Sequence, residues 1–409
     1  MSTKTTYKQT ELGLIPEDWE VKKFNKFSKF YSGGTPLTSK SEYYGGEIPF
    51  IKSGEIYYDR TEQFLTQEGL NNSSAKLVYR GDLLYALYGA NSGEVAISQL
   101  EGAINQAILC IQQNKDEAET IYLYNYLKLE KSNIINKFLQ GGQGNLSADI
   151  IKNLQIPLPP LSEQKKIADC LSTWDVAIEK QSQLINALTQ RKKALMQQLL
   201  TGKKRLPGFS GEWKEVKLGD LFEKINRKNE EGNTNVVTIS AQRGFVKQTD
   251  FFNKSVASET LDNYSLIYHG EFCYNKSYSN GYPLGATKRL IAFEKAVVTT
   301  LYICFKIKDQ KKSNGSFFEQ FFEANSLDRS LIKIAQEGGR AHGLLNVSLS
   351  DFFNIKIKLP PIEEQTAIAE ILAAADRELQ LQKEKLAQLQ AQKKGLMQVL
   401  LTGKKRLIN

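Results

Sequence analysis

The chain has 409 residues, of which 41% are hydrophobic and 24% charged, with a formal net charge of +9 and a pI near 9.0. That length exceeds one small core and suits two ordinary domains with connectors, and the basic balance, with 18 Tyr and 20 Phe, suits a polyanionic partner. Cys110, Cys170, Cys273 and Cys304 form no CxxC pair, no run of eighteen apolar residues occurs and the first residues are polar, so a disulfide scaffold, a membrane span and a secretory leader are set aside and the cytoplasm is the expected location.

Residues 1–18 read as a polar N-terminal segment. Residues 19–158 form a first mixed α/β domain, with β-like runs Ile48–Ile51, Leu83–Leu87 and Ala107–Ile111 before a helical pattern over Ile121–Leu139. Residues 159–202 are a long helix. Leu158-Pro159-Pro160 blocks helix ahead of Ser162, read as its N-cap with acidic Glu163 behind it, and Gly202 stands where a left-handed C-terminal cap belongs. Residues 203–212 are a short linker. The second domain, 213–359, follows the same order, with β-like runs Val236–Ile239, Phe272–Tyr274 and Ala296–Lys306 and then a helix over Phe317–Glu337. Residues 360–403 are a second long helix, opened by Pro360-Pro361 and Glu363-Glu364 and closed at Gly403, and 404–409 are a basic tail. At about 40 residues each long helix spans roughly 60 Å.

The two long helices are copies of each other. KKALMQQLLTGKKRL at Lys192–Leu206 returns 201 residues later as KKGLMQVLLTGKKRL at Lys393–Leu407, identical at thirteen of fifteen positions, and LPPLSEQKKIADCL at Leu158–Leu171 aligns at the same offset with LPPIEEQTAIAEIL at Leu359–Leu372. The chain is a tandem duplication whose connectors match while the domains between them have diverged. Gly81-Asp82 and Gly270-Glu271, Asn145 and Asn346, and Ser147 and Ser348 mark equivalent places, so both domains are expected to share one fold.

Steps of four and three residues pick out Ile167, Leu171, Trp174, Ile178, Gln181, Ile185, Leu188, Lys192, Leu195 and Leu199 in the first helix, and the same slots run from Ile368 to Leu400 in the second. A 3.5-residue period is a coiled-coil seam, and each copy is the natural partner of the other. The short linker favours antiparallel helices with an approximate two-fold axis. If that axis crosses the midpoints, Gln181 faces Gln382 and the polar pair fixes register; otherwise both lie at a wet edge of the seam.

Catalytic patterns are scarce. Two histidines, His269 and His342, exclude a His-rich metal site, and no HExxH, GxxxxGK[ST], GxSxG or GxGxxG occurs. Binding features are richer: in the first domain Thr35, Tyr43, Tyr44 and Lys52, then Tyr88, Asn91 and Ser92, then Gln143 and Asn145; in the second Gln242 and Arg243, then Lys276, Ser277, Tyr278 and Asn280, then Arg340, His342 and Asn346. Arg, Lys, Asn and Gln can contact purine edges bidentately and Ser and Tyr can hold phosphates, which makes these loops candidate DNA contacts. The bland alternatives are a half-buried sheet position for Tyr43 and Tyr44 and a helix cap for Asn145 and Asn346.

The opening LGLIPEDWEVKKF, the block GGTPLTSKSEYYGGEIPFIKSGEI, GDLLYALYGANSGEVAI followed by Asn105-Gln106, GEWKEVKLGDLF, and both LPPxxEQ…LLTGKKRL repeats together make the chain resemble the specificity subunit of type I restriction-modification systems along its whole length. The resemblance implies two target-recognition domains, each reading half of a split asymmetric DNA site, joined by two antiparallel helices. It further implies two methyltransferase subunits docked on the helices and motor-nuclease subunits recruited through the complex, with S-adenosylmethionine, ATP and magnesium belonging to those partners and no catalysis on this chain. The competing expectations are a coiled-coil scaffold with protein-binding end domains, or a nuclease.

Overall fold

The computed structural model describes residues 6–139, 145–251, 260–337 and 345–407, so Gln143, Arg340 and His342 lie outside the described residues. The chain divides into two compact units, Met1–Ser182 with Glu384–Asn409, and Gln183–Lys383. The boundaries fall inside both long helices, Leu161–Leu199 and Ile362–Leu400, so each unit holds one α/β domain, the opening half of one long helix and the closing half of the other.

In the first unit, four antiparallel strands in the order Ser28–Ser32, Ile108–Gln113, Leu83–Ala86, Val95–Ile97 form the central sheet. Side chains alternate across it. Leu83, Tyr85, Leu109 and Ile111 face a core with the helix Thr120–Phe138, while Leu84, Ala86, Ile108 and Cys110 face the opposite way onto Ile51, Val78 and Ile104. Both faces are covered, which is why these strands read in sequence as unbroken apolar runs. The second layer is a sheet ordered Phe64–Leu65, Tyr44–Ile51, Gly102–Ile104, Lys76–Val78, in which Ala103 pairs with Phe50 and Ile104 with Ile51 in parallel.

The second unit repeats this plan with other side chains. Phe222–Lys224, Ile303–Ile307, Phe272–Asn275 and Ala286–Arg289 take the same order, and Val237–Ser240, Lys295–Val298 and Ser265–Tyr268 make the second layer around a parallel bridge from Val236 to Val297. Two expectations need correction here. The run Ala296–Lys306 is two strands of different sheets, broken at Thr299-Thr300-Leu301, and the single helix over Phe317–Glu337 is two, Gly315–Glu323 and Asp328–Ile334, separated where Asn325 turns to φ 53°. A non-glycine residue in that region ends a helix, and apolar periodicity does not reveal it.

One turn is the same in both domains. The Tyr79 N–H donates to Asp82 Oδ2 at 2.9 Å and the Tyr268 N–H to Glu271 Oε2 at 2.7 Å, with Gly81 at φ 94° and Gly270 at φ 89° between them, a backbone shape that favours glycine.

The long helices pair antiparallel within each unit. In the first, Lys393 meets Asp175 and Arg406 meets Glu163; in the second, Lys192 meets Asp376, Arg191 meets Glu378 at 3.1 Å, and Arg205 meets Glu364. Burial lowers the Lys393 ammonium from its ordinary range, against the pull of Asp175. None of the coiled-coil seam positions named from sequence is exposed in the first helix. Within each unit this pairing sets Gln181, which is buried, level with Ala387 and Gln388, and Gln382 level with Asn186 and Ala187.

The helix ends follow the duplication closely. The first helix starts at Leu161, two residues earlier than an N-cap at Ser162 would allow: the Pro160 carbonyl accepts from the Glu163 and Gln164 N–H groups at 2.8 and 3.1 Å, so Ser162 lies in the first turn. Gly202 and Gly403 take φ 68° and 72° at the ends, as expected. The ends then interlock across the repeats. Glu163 is buried and accepts from Trp19 Nε1 at 3.1 Å and from Arg406, which also holds Asp18; Glu364 accepts from Trp213 Nε1 at 3.0 Å and from Arg205 through two contacts of 2.6 Å. The first copy of the repeat therefore closes the second unit and the second copy closes the first.

Candidate nucleic-acid interface

In the first domain the carboxyl ends of the parallel strands Tyr44–Ile51 and Gly102–Ile104 deliver Lys52 and Asn105-Gln106 side by side. This is the edge at which sheets containing parallel strands commonly collect ligand-binding loops. The glycine turn before it is pinned there. The Gly34 N–H donates to the Ile104 carbonyl at 3.2 Å, and a Cβ on Gly33 would stand 1.7 Å from the same oxygen, so only glycine fits. Thr35, exposed beside it, donates to Gln106 Oε1 at 2.6 Å.

Two more loops complete the edge. Glu55 accepts from the Lys52 N–H and the Thr61 hydroxyl, both at 3.0 Å, folding residues 52–61 so that Tyr57 and Tyr58 are exposed. Loop 88–94 lies against it: a Cβ built on Gly54 would sit 3.5 Å from Asn91 Nδ2. Tyr88 forms an antiparallel bridge with Asn145, and both are exposed. The structure thus gathers Thr35, Lys52, Tyr88, Asn91 and Asn145 from four separate stretches.

Three sequence candidates have structural jobs instead. Tyr43 is buried, with the Thr66 N–H donating to its carbonyl and Gly69 packed against it. Ser92 is buried and its hydroxyl donates to the Leu87 and Gly89 carbonyls at 3.2 and 2.9 Å. Tyr44 is half-buried, donating to the Pro36 carbonyl at 2.7 Å.

The second domain gathers its loops at the matching edge. Gln242 donates to the Asn280 carbonyl at 3.0 Å, the Leu345 N–H to the Lys276 carbonyl at 3.1 Å, and Asn325 to the Gly281 carbonyl at 3.1 Å. Ser277 is fixed through its N–H on Asn275 Oδ1 at 3.0 Å, leaving Tyr278, Asn280, Gln242, Arg243 and Asn346 exposed. A cavity of about 270 Å³ opens beside them, lined by Gln242, Arg243, Lys288, Arg289, Glu319 and Glu323. Among the described residues no group of three or more His, Cys, Asp or Glu is arranged to hold a metal ion, and no helix is long and apolar enough to cross a membrane.

Sequence reasoning missed the acidic members of both sites, Glu94 and Glu323, and the tyrosines Tyr57 and Tyr282 that meet them. Glu94 stands inside a stretch already singled out, but its partners lie 37 residues away on either side, beyond any local pattern.

The type I restriction modification DNA specificity domain family matches residues 16–190 and again 210–391. The chain belongs to this family. Each copy of the specificity domain starts just ahead of a helix-end tryptophan, Trp19 or Trp213, and runs into a long helix. The type I restriction enzyme MjaVIII specificity subunit of Methanocaldococcus jannaschii is 26% identical over 432 residues, covering 97% of this chain and 95% of that protein. In fold the chain resembles the type I restriction-modification S subunit from M. genitalium, with TM-score 0.54 at 16% identity over 93% of this chain and 96% of that one. It also resembles a chain from a structure of complex assembly and conformational transition in the type I R-M system, with TM-score 0.59 at 16% identity over 96% and 99%.

Proposed function

We propose that each domain reads one half of a bipartite, asymmetric DNA site through the loops at the carboxyl ends of its parallel strands. The carrying observation is that one fold presents the same edge twice with unrelated side chains: Thr35, Lys52, Tyr88, Asn91 and Asn145 on one domain, Gln242, Arg243, Lys276, Tyr278, Asn280 and Asn346 on the other. One frame with two different edges suits two different half-sites. Lysine, arginine and amide side chains among backbone-anchored loops suit base edges flanked by phosphates.

The long helices, at 39 residues each, act as the spacer between half-sites and as the docking surface for methyltransferase subunits, and motor-nuclease subunits join through that complex. Gln181 and Gln382 are the polar register positions of the seam. The chain itself recognises and does not catalyse. S-adenosylmethionine, ATP and magnesium act on the partner subunits, in the cytoplasm.

Genome-wide adenine methylation in cells carrying this chain with its methyltransferase subunit should show a split motif that disappears when the chain is deleted. A methylome without a split motif would leave the scaffold reading. Inserting four residues near Gln181 should lengthen the unread spacer by a base pair or two while both half-sites stay the same, given a rise of about 1.5 Å per residue. An unchanged spacer would refute the helices as a ruler.

A further inference from the structure

In both domains the hairpin behind the exposed loops is tied to the domain's helix by a tyrosine, a carboxylate and a lysine, and the two trios have opposite polarity. In the first domain the carboxylate is on the hairpin. Glu94, at the foot of strand Val95–Ile97, accepts from the Tyr57 hydroxyl of the neighbouring loop and from the Lys131 ammonium of helix Thr120–Phe138. In the second domain the lysine is on the hairpin. Lys288, in strand Ala286–Arg289, meets Glu323 at the end of helix Gly315–Glu323, and Tyr282 of the hairpin loop donates to Glu323 Oε1 at 2.6 Å. The Lys288 ammonium is also 3.2 Å from the Tyr282 hydroxyl and 4.6 Å from its ring centroid.

The strands involved are equivalent. Val95–Ile97 pairs with Leu83–Ala86 as Ala286–Arg289 pairs with Phe272–Asn275, so hairpin and helix have exchanged charges between the domains while the tie has been kept. A lone carboxylate facing an anionic polymer would repel it; joined to lysine and a tyrosine hydroxyl, it adds no net negative charge. Partly exposed ion pairs contribute little net stability, because water screens them and ordering two side chains costs entropy, whereas they do fix orientation. What they orient here is a loop: residues 88–93 leave Glu94 directly, and residues 276–285 join Asn275 to Ala286 with Tyr282 among them.

We propose that Tyr57–Glu94–Lys131 and Tyr282–Glu323–Lys288 are positioning clasps that hold each recognition loop in its base-reading geometry, one clasp per half-site. This rests on the DNA-reading function proposed above. None of the six residues need touch DNA.

The test maps adenine methylation in cells carrying the full chain with its methyltransferase subunit, for wild type and for Tyr57→Phe, Glu94→Gln, Tyr282→Phe and Glu323→Gln. Wild type examines the underlying function: without a split motif, both the DNA-reading function and the clasps fall. Given a split motif, Tyr57→Phe and Glu94→Gln should each reduce discrimination about tenfold at one half-site, leaving the other half and the spacer intact. Tyr282→Phe and Glu323→Gln should relax the opposite half. The charge-exchanged double variant Glu94→Lys with Lys131→Glu, which copies the polarity of the second domain, should regain discrimination relative to Glu94→Lys alone. The clasps are overturned if discrimination stays at wild-type level, or if both half-sites weaken together, the outcome a general loss of folding or assembly would give.

Discussion

The two recognition domains share a plan and differ in almost every side chain that fills it. The first core mixes aliphatic residues with Trp19, Tyr85 and Tyr122, whereas the second is built on phenylalanine: Phe305 stacks on Phe272 with centroids 5.6 Å apart and meets Phe222 edge-on at 5.1 Å, with Phe317, Phe318, Phe321 and Phe322 packed around them. At the helix ends the reverse holds: Trp19, Glu163 and Arg406 are repeated as Trp213, Glu364 and Arg205. Core filling is free to drift as long as volume and pattern hold, because dispersion and burial are non-directional. A buried carboxylate needs specific donors, so its partners do not drift separately.

The contrast can be broken most forcefully in the cores. Phe305→Ala should destabilise the second unit by about 4 kcal/mol, and Ile111→Ala at the matching strand position should cost the first unit about 3 kcal/mol, since both side chains are fully buried. Hydrogen exchange read separately over the two units checks this, and equal losses in both units from either change would contradict it. Next in size, Arg406→Ala leaves Glu163 buried without its cation and should cost the first unit about 3 kcal/mol. Arg205→Ala should weaken the second unit less, because Arg205 is the more exposed of the two arginines.

The smallest expected effect is on pH dependence, where the units diverge in sign at particular carboxyls. Arg406 holds the Asp18 carboxyl below its ordinary value, and the hydrogen bonds from Lys131 and Tyr57 outweigh burial to lower that of Glu94. Their stabilisation is fully present above the unfolded values of 3.8 and 4.5 and is lost as pH falls through the lower folded ones. Burial instead raises the Glu319 and Asp328 carboxyls in the second unit, so the folded form binds protons more readily there and stability rises as pH falls through those higher values. Melting curves of Asp18→Asn and Glu319→Gln against pH should show opposite slopes removed; parallel curves would count against this assignment.

Much of the plan is legible in the sequence. The duplication, the 3.5-residue seam, the left-handed caps at Gly202 and Gly403 and several buried strands follow from local pattern, because period and cap chemistry act within a few residues. Where sequence failed, the deciding contact was distant or the signal was conformational. The strand break at Thr299-Thr300-Leu301 sits in a run of β-favouring residues, and Asn325 ends a helix through its own φ. Tyr43 and Ser92 carry the residue types of a binding loop, but burial assigned them to its foundation. The Glu94 and Glu323 ties, like the arginine clasps spanning 159 and 243 residues, are invisible until the chain is folded.

The exchange of helix ends between the units has a consequence for synthesis. The second unit is one continuous stretch, Gln183–Lys383, while the first needs Glu384–Asn409 to complete its helix pair and to supply Arg406 to Glu163. A chain emerging from the ribosome N-terminus first ordinarily finishes its domains in the order they are made. Here the domain made first must wait, with Glu163 lacking the Arg406 guanidinium, until the second copy of the repeat has been made, and the domain made second is complete before it.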